Sequence, residues 1–131
     1  PVNKYEIKKI LNKKNIKIIS NIIHPFVRQN LKVFLKKNTK KKFVVLDIPL
    51  LIENRLYKKT DVLIYINTPQ KIINRRLKKR GNYNKKILNI LESQQLKKNK
   101  KIGLCKFVIT NSLSKNNIYK KIKKIKKEIN A

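Results

Sequence analysis

The hydrophobic positions of the chain form two patterns, helical spacing and short continuous apolar runs, which predict alternating helices and strands. Short apolar runs rich in β-branched residues predict strands at Phe43–Leu46, Asp61–Ile66 and Phe107–Thr110. Pro25 is expected to end one helix and open the next, and Gly81 to stop another. Apart from a break at 12–15, apolar residues three and four positions apart predict helices over residues 4–23, 26–35, 69–80, 84–98 and 118–129.

Strands that alternate with helices predict an α/β fold, in which helices cover a parallel sheet. A polar residue follows each predicted strand, namely Asp47, Asn67 and Asn111. Ligands of open parallel sheets bind at the carboxyl ends of the strands. We therefore expect a binding site where these three side chains meet.

The composition limits the class of protein. A length of 131 residues suits a single domain, and the chain has no internal repeat or Gly/Ser-rich linker. No apolar stretch approaches the roughly 20 residues that cross a bilayer, so no membrane partner is expected. The lone Cys105 indicates a reducing, cytoplasmic environment, and we interpret it as a packing residue rather than a nucleophile.

The net charge of +30 would ordinarily indicate a nucleic-acid partner. However, Lys, Ile and Asn make up 69 of the 131 residues, and all three have A/T-rich codons. We therefore interpret the lysines as a solvated surface and expect no specific nucleic-acid partner. The charge supports one alternative, a small basic RNA- or ribosome-associated protein, whose binding should weaken as salt rises.

A series of short motifs runs along nearly the whole chain. They are IIHPFV at 22–27, LDIPLLIE at 46–53, LYKK at 56–59, TP at 68–69, RRL at 75–77, RG at 80–81, Gln94 in the following helix and FVITNS at 107–112. In this order they resemble the dephospho-coenzyme A kinase family of the P-loop kinase superfamily. The resemblance implies a partial P-loop NTPase fold, a three-layer α/β/α domain in which residues of about 70–100 form a helical lid.

The resemblance also implies an activity. The family transfers the γ-phosphoryl group of ATP to the ribose 3′-hydroxyl of dephospho-coenzyme A, the last step of coenzyme A synthesis. ATP and dephospho-coenzyme A are therefore the expected small-molecule partners, and Mg²⁺ is expected with the ATP. Another P-loop kinase, acting on a nucleotide or a different metabolite, fits less well because the HP pair and the PLL-E segment favour coenzyme A.

The resemblance assigns roles to eight residues. Arg76 and Arg80 are expected to be catalytic lid arginines that close over the ATP phosphates from one face of a helix. Asn111 is expected beside the base of ATP. No residue of the chain is assigned as a metal ligand, and the implied substrate-binding residues are His24, Asp47, Pro49, Leu50 and Glu53.

Structural alternatives exist for the polar members of this set. A cap or an ion pair would explain Asp47 and Glu53, and a helix cap would explain Asn111. A structural imidazole ahead of the proline would explain His24, while Arg75 is interpreted as a surface residue.

One expected motif is missing from the chain. The family's phosphate loop, GxxxxGK(S/T), is absent, because neither Gly81 nor Gly103 precedes a Gly-Lys pair. No Asp occurs before Asp47, so the expected catalytic base is missing as well. We therefore expect the 131 residues to be one N-terminally truncated domain, the last two thirds of the enzyme, without kinase activity alone.

Overall fold

A computed structural model describes residue 6 and residues 9–80, 83–111 and 114–130. The chain forms two compact units, which are Pro1–Leu56 with Lys85–Gln95 (the first unit) and Tyr57–Asn84 with Leu96–Ala131 (the second unit). Residues 6, 9 and 10 are helical. The elements that follow are α1 (Lys13–Lys37), β1 (Ile64–Asn67), α2 (Gln70–Lys79), α3 (Lys85–Glu92), α4 (Lys98–Leu104), β2 (Phe107–Thr110) and α5 (Lys115–Asn130).

Helix α1 of the first unit starts at the predicted break. Asn12 is its N-cap, and the side-chain oxygen accepts hydrogen bonds from the backbone N–H groups of Lys14 at 2.9 Å and Asn15 at 2.8 Å. Asparagine is favoured at this position because it satisfies donors that the first helical turn leaves unpaired. The break in the pattern therefore marks a helix start.

Pro25 lies inside α1, so the expectation that it separates two helices is wrong. A proline within a helix removes one backbone hydrogen bond and costs about 3 kcal/mol. The helix continues because its less exposed residues keep one helical spacing across the proline, which favours packing of a single stripe. This inward stripe consists of Ile16, Ser20, His24, Val27, Leu31 and Leu35.

The predicted strand at Phe43–Leu46 does not form. Exposure still alternates with a period of two from Phe43 to Ile48, and Val45 on the outer side is 86% exposed. A strand needs a neighbour for its backbone hydrogen bonds, and β1 and β2 are the strands that pair within the described residues. Residues 43–48 therefore keep the alternating exposure of a strand but do not pair with β1 or β2.

The second unit contains a two-stranded parallel sheet, which confirms the predicted α/β class. Its register runs from Ile64 opposite Phe107 to Asn67 opposite Thr110. β2 has the predicted bounds, but β1 begins later than predicted because Asp61 belongs to a turn, where its carboxylate accepts a 2.8 Å hydrogen bond from the backbone N–H of Lys58. Helix α5 contacts β2.

The helices between the strands differ from the prediction. The helix predicted over 84–98 ends at Glu92, and Gln94 lies in a turn, where Ser93 Oγ donates a 2.7 Å hydrogen bond to the Ile90 carbonyl. The sequence pattern does not predict α4, because lysines and Gly103 interrupt its apolar spacing. Gly81, the expected stop of α2, lies outside the described residues.

In the described part of the chain, no helix combines the length and the apolar character that a membrane span requires.

Candidate substrate and phosphate sites

The first unit contains a cleft of about 360 Å³ between α1 and the run that follows it. Asp47 lines this cleft and is exposed there. The other lining residues are mostly apolar, and they are Val27, Asn30, Leu31, Phe34, Val45, Leu46 and Ile48. An open, mostly apolar cleft with one carboxylate and one amide can hold a ligand that has both an apolar part and a polar group.

A tight turn follows the cleft along the chain. The backbone N–H of Asn54 donates to the Leu50 carbonyl at 2.9 Å, that of Arg55 to Ile52 at 3.1 Å, and that of Leu56 to Leu51 at 2.9 Å. The last two bonds, with Arg55 at φ 51°, form the Schellman pattern that ends a single helical turn. We call residues 50–56 the Schellman turn.

Two residues of the Schellman turn adopt the left-handed backbone region without being glycine. Leu50 has φ 55° and Arg55 has φ 51°. Each such residue costs roughly 1–2 kcal/mol because its Cβ approaches the following carbonyl oxygen. Leu56, which is 8% exposed, ends the turn in the core of the first unit. Strain of this kind persists only where the surroundings determine the conformation, and it is common at functional sites.

The structure places the predicted substrate residues in three different settings. Asp47 lines the cleft, and Leu50 and Glu53 belong to the Schellman turn that Pro49 precedes. His24 lies on the inward stripe of α1, one turn before Val27, and is half-buried. It is not among the residues that line the cleft.

The two asparagines of the second unit lie next to each other at one edge of the sheet, and the meeting of their side chains stays a prediction. Asn67 ends β1, Asn111 directly follows β2, and the backbone N–H of Asn111 donates a 2.8 Å hydrogen bond to the Asn67 carbonyl. Asp47, the third member of the predicted cluster, lies in the first unit, so its proximity to the asparagines stays a prediction. Ser112 lies outside the described residues.

Arg76 and Arg80 are both exposed, Arg76 in the last turn of α2 and Arg80 at its C-cap. Helix α2 ends at Lys79, and Arg80 has extended backbone angles of φ −77° and ψ 120°. Its N–H bonds the Leu77 carbonyl at 3.1 Å, a three-residue spacing that closes the helix, and its own carbonyl accepts from Tyr83 at 3.0 Å. The expectation that the two arginines lie on one face stays a prediction.

A shallow depression of about 440 Å³ lies on the exposed face of α2. Four of the five lining side chains are cations, and the fifth, Asn74, accepts a 3.0 Å hydrogen bond from Gln70 Nε2 at its side-chain oxygen. Such a surface attracts anions through point charges. Arg75, expected on the surface, is part of it, and the lining residues are Lys71, Asn74, Arg75, Lys78 and Lys79.

Among the described residues, no three His, Cys, Asp or Glu side chains group in a way that could hold a metal ion. Cys105 is half-buried, and burial raises the pKa of its thiol.

Two polar residues near the cleft are missing from the sequence-based set. Asn30 lines the cleft, and Arg28 donates from Nη2 to the Asn54 carbonyl at 3.0 Å. The rarity of arginine offered one signal, since Arg28 is one of only five in a chain with 36 Lys and Arg residues. Its partner could not be found from the sequence, because it is a backbone carbonyl 26 positions away.

These features define an α/β protein with a parallel sheet, polar strand ends and an arginine-bearing helix directly after a strand, consistent with part of a P-loop kinase fold. A sequence model of dephospho-CoA kinase matches residues 6–117. The chain belongs to the dephospho-CoA kinase family, as the motif series predicts.

Relatives named dephospho-CoA kinase occur in several bacteria. That of Wolbachia pipientis wMel is 30% identical over 118 residues, which cover 88% of this chain and 60% of the relative. That of Bartonella quintana is 30% identical over 125 residues, covering 92% and 64%. That of Ehrlichia canis is 33% identical over 112 residues, covering 84% and 56%. The chain thus spans about three fifths of the length of these relatives.

Proposed function

We propose that the protein carrying this chain transfers the γ-phosphoryl group of ATP to the ribose 3′-hydroxyl of dephospho-coenzyme A. The observation that supports this most is the extent of the family match, because residues 6–117 include all eight residues assigned to the site. The product would be coenzyme A, and the expected location is the cytoplasm.

In this proposal the cleft of the first unit receives dephospho-coenzyme A. Its apolar lining suits the uncharged arm of the substrate, and Asp47 and Asn30 offer polar contacts at its walls. Pro49, Leu50 and Glu53 would form the end of the pocket through the Schellman turn. His24, on the stripe beneath Val27, would orient the helix wall or donate a hydrogen bond to the substrate.

Arg76 and Arg80 would act on the ATP phosphates. A guanidinium binds two phosphate oxygens at once and keeps its charge, so it can offset the charge that spreads over the transferred group. The exposure of both side chains leaves them accessible to a ligand. Residues of about 70–100 would form the lid that brings them over the nucleotide, and Asn111 would contact the base.

Magnesium would neutralise phosphate charge when it is bound with ATP, with Asp47 as one possible carboxylate ligand. The chain has no GxxxxGK(S/T) sequence, so these 131 residues do not supply the family's phosphate-loop contacts to the β- and γ-phosphates. We therefore expect the 131 residues alone to have no kinase activity.

A direct assay tests this function. Protein translated from the complete coding sequence is incubated with ATP, Mg²⁺ and dephospho-coenzyme A, and coenzyme A is quantified by mass spectrometry. Coenzyme A itself is the control acceptor, because its 3′-hydroxyl is already phosphorylated and it should not stimulate ATP use. Absence of coenzyme A formation contradicts the proposal, and rapid turnover by the 131 residues alone contradicts the expectation about the phosphate loop.

The basic depression on α2 favours polyanion binding as a second candidate. A dedicated RNA-binding protein should retain sequence-dependent binding at 200 mM salt, whereas charge-driven attraction should fall steeply between about 50 and 200 mM salt. The proposed kinase function predicts the second behaviour.

A further inference from the structure

Arg28 links two segments of the first unit that are distant in sequence. Its Nη2 group donates a 3.0 Å hydrogen bond to the carbonyl oxygen of Asn54, across 26 positions of chain. The N–H of the same residue, Asn54, donates to the Leu50 carbonyl at 2.9 Å. Asn54 therefore bonds to Leu50 within the Schellman turn through its N–H group and to α1 through its carbonyl oxygen.

The hydrogen bond from Arg28 holds a segment, the Schellman turn, whose backbone conformation is energetically unfavourable. Leu50 and Arg55 both have positive φ, and Asn54 lies directly before Arg55. A turn with two such residues relaxes readily unless outside contacts hold it. The guanidinium supplies one such contact at the carbonyl next to the strained position.

Arg28, the donor of this hydrogen bond, lies on the helix that forms one wall of the cleft. Arg28 directly follows Val27, which lines the cleft from α1, while Asp47 lines it from the opposite segment, three residues before Leu50. The hydrogen bond thus ties the Schellman turn to the helix that forms one wall. A shift of the turn would displace the cleft's second wall relative to that helix.

We propose that Arg28 is a positioning residue for substrate binding, which holds the Schellman turn against α1 and so sets the distance between the walls of the cleft. The expected effect on the KM for dephospho-coenzyme A rests on the proposed function. The structural part of the proposal, that the guanidinium maintains the turn, is independent of that function. Arg28 itself contacts neither ATP nor the reacting groups in this proposal.

The kinetic test compares Arg28→Gln with the parent enzyme made from the complete coding sequence. We expect the KM for dephospho-coenzyme A to rise roughly threefold to tenfold, the range expected for losing one exposed hydrogen bond, with the KM for ATP and kcat nearly unchanged. Arg28→Lys keeps a donor and should recover part of the loss. Lys32→Gln, which removes an exposed cation one turn further along α1, is the matched control and should leave all three constants unchanged.

A second variant separates positioning from general destabilisation. In Arg28→Gln, the added change Arg55→Gly removes the cost of the left-handed backbone, so the turn can keep its conformation without the guanidinium. The KM for dephospho-coenzyme A should return towards the parent value. Equal changes in kcat and in both KM values, or no recovery by Arg55→Gly, would overturn the proposal.

Hydrogen exchange gives an answer that needs no enzymatic activity. The amides of Asn54, Arg55 and Leu56, which donate within the turn, should exchange faster in Arg28→Gln than in Lys32→Gln. If the parent forms no coenzyme A but this difference appears, the proposed function fails and the holding role stands. If the exchange rates of the two variants are equal, the role of Arg28 is wrong whatever the activity.

Discussion

The backbone N–H of Asn111 donates a hydrogen bond of 2.8 Å to the carbonyl oxygen of Asn67, one step beyond the last residue of β2. This bond continues the parallel ladder and brings the ends of both strands to one edge of the sheet. An amide side chain therefore ends β1, and another directly follows β2, at the edge where parallel sheets bind ligands. The stability of this edge depends on how the side chains of β2 pack in the second unit.

Truncation of Ile109 should destabilise the second unit. Its side chain is 4% exposed, so Ile109→Ala removes buried apolar contacts and leaves a cavity, with an expected loss of about 2–4 kcal/mol in the free energy of unfolding. Val108→Ala, at a neighbouring position that is 41% exposed, should cost about 1 kcal/mol or less. Urea unfolding followed by circular dichroism measures both, and equal losses would show that the core does not lie at Ile109.

Removal of the α1 cap should weaken the first unit. Asn12→Ala removes the acceptor of two backbone N–H groups, with an expected loss of about 1 kcal/mol. Asn21→Ala, at an exposed position within the same helix, is the control and should be neutral or slightly stabilising. The comparison uses urea midpoints at equal m-values, and an unchanged midpoint for Asn12→Ala contradicts the capping role.

The Schellman turn should prefer glycine at position 55. Arg55→Gly removes a left-handed cost of roughly 1–2 kcal/mol and adds a smaller entropic cost in the unfolded chain, so the net gain should be up to about 1 kcal/mol. Arg55→Val should do the opposite, since a β-branched side chain fits φ 51° poorly. Thermal unfolding should rank the three proteins Gly, Arg, Val, and any other order means that this backbone is not strained.

If Arg76 and Arg80 act on the ATP phosphates as proposed, their conservative substitution should reduce catalysis. Arg76→Lys and Arg80→Lys keep the charge but lose the two-pronged phosphate contact, so we expect kcat to fall roughly 10- to 1,000-fold with little change in stability. Arg75→Lys, on the basic depression of the same helix, is the matched control and should keep kcat within about twofold. A similar loss in all three variants would contradict a specific role of Arg76 and Arg80, because each variant keeps the positive charge.

The thiol of Cys105 should react slowly and make stability depend on pH. Burial raises its pKa in the folded state, so the unfolded chain loses this proton first as pH rises. Stability from this group is therefore intact below the ordinary thiol pKa and falls as pH rises through it, because the unfolded state then binds fewer protons than the folded state. Cys105→Ala should show a weaker decline over this range.

Alkylation by iodoacetamide tests the same pKa directly. The rate for the folded protein should reach its midpoint at a higher pH than the rate in concentrated urea, because the thiolate is the reacting form. Coinciding midpoints would contradict the effect of burial on Cys105.

Elements whose signals are local could be predicted from the amino-acid sequence. β2 has its predicted bounds, and α5 follows its isoleucine stripe, because both patterns depend on neighbouring residues in the chain. The helix start at Asn12 coincides with the break in apolar spacing for the same reason. The ordered motifs were sufficient for the family, since they do not depend on the conformation of any one segment.

Features that depend on contacts between residues distant in sequence could not be predicted from the sequence. Phe43–Leu46 has the composition of a strand but pairs with none in the described residues, and Pro25 sits inside a helix because the stripe on both sides of it packs as one. Arg80 is the C-cap of α2 rather than a residue within the helix, because its backbone becomes extended there. The contact between Arg28 and Asn54 joins a side chain to a backbone carbonyl, and a carbonyl carries no sequence signal because every residue has one.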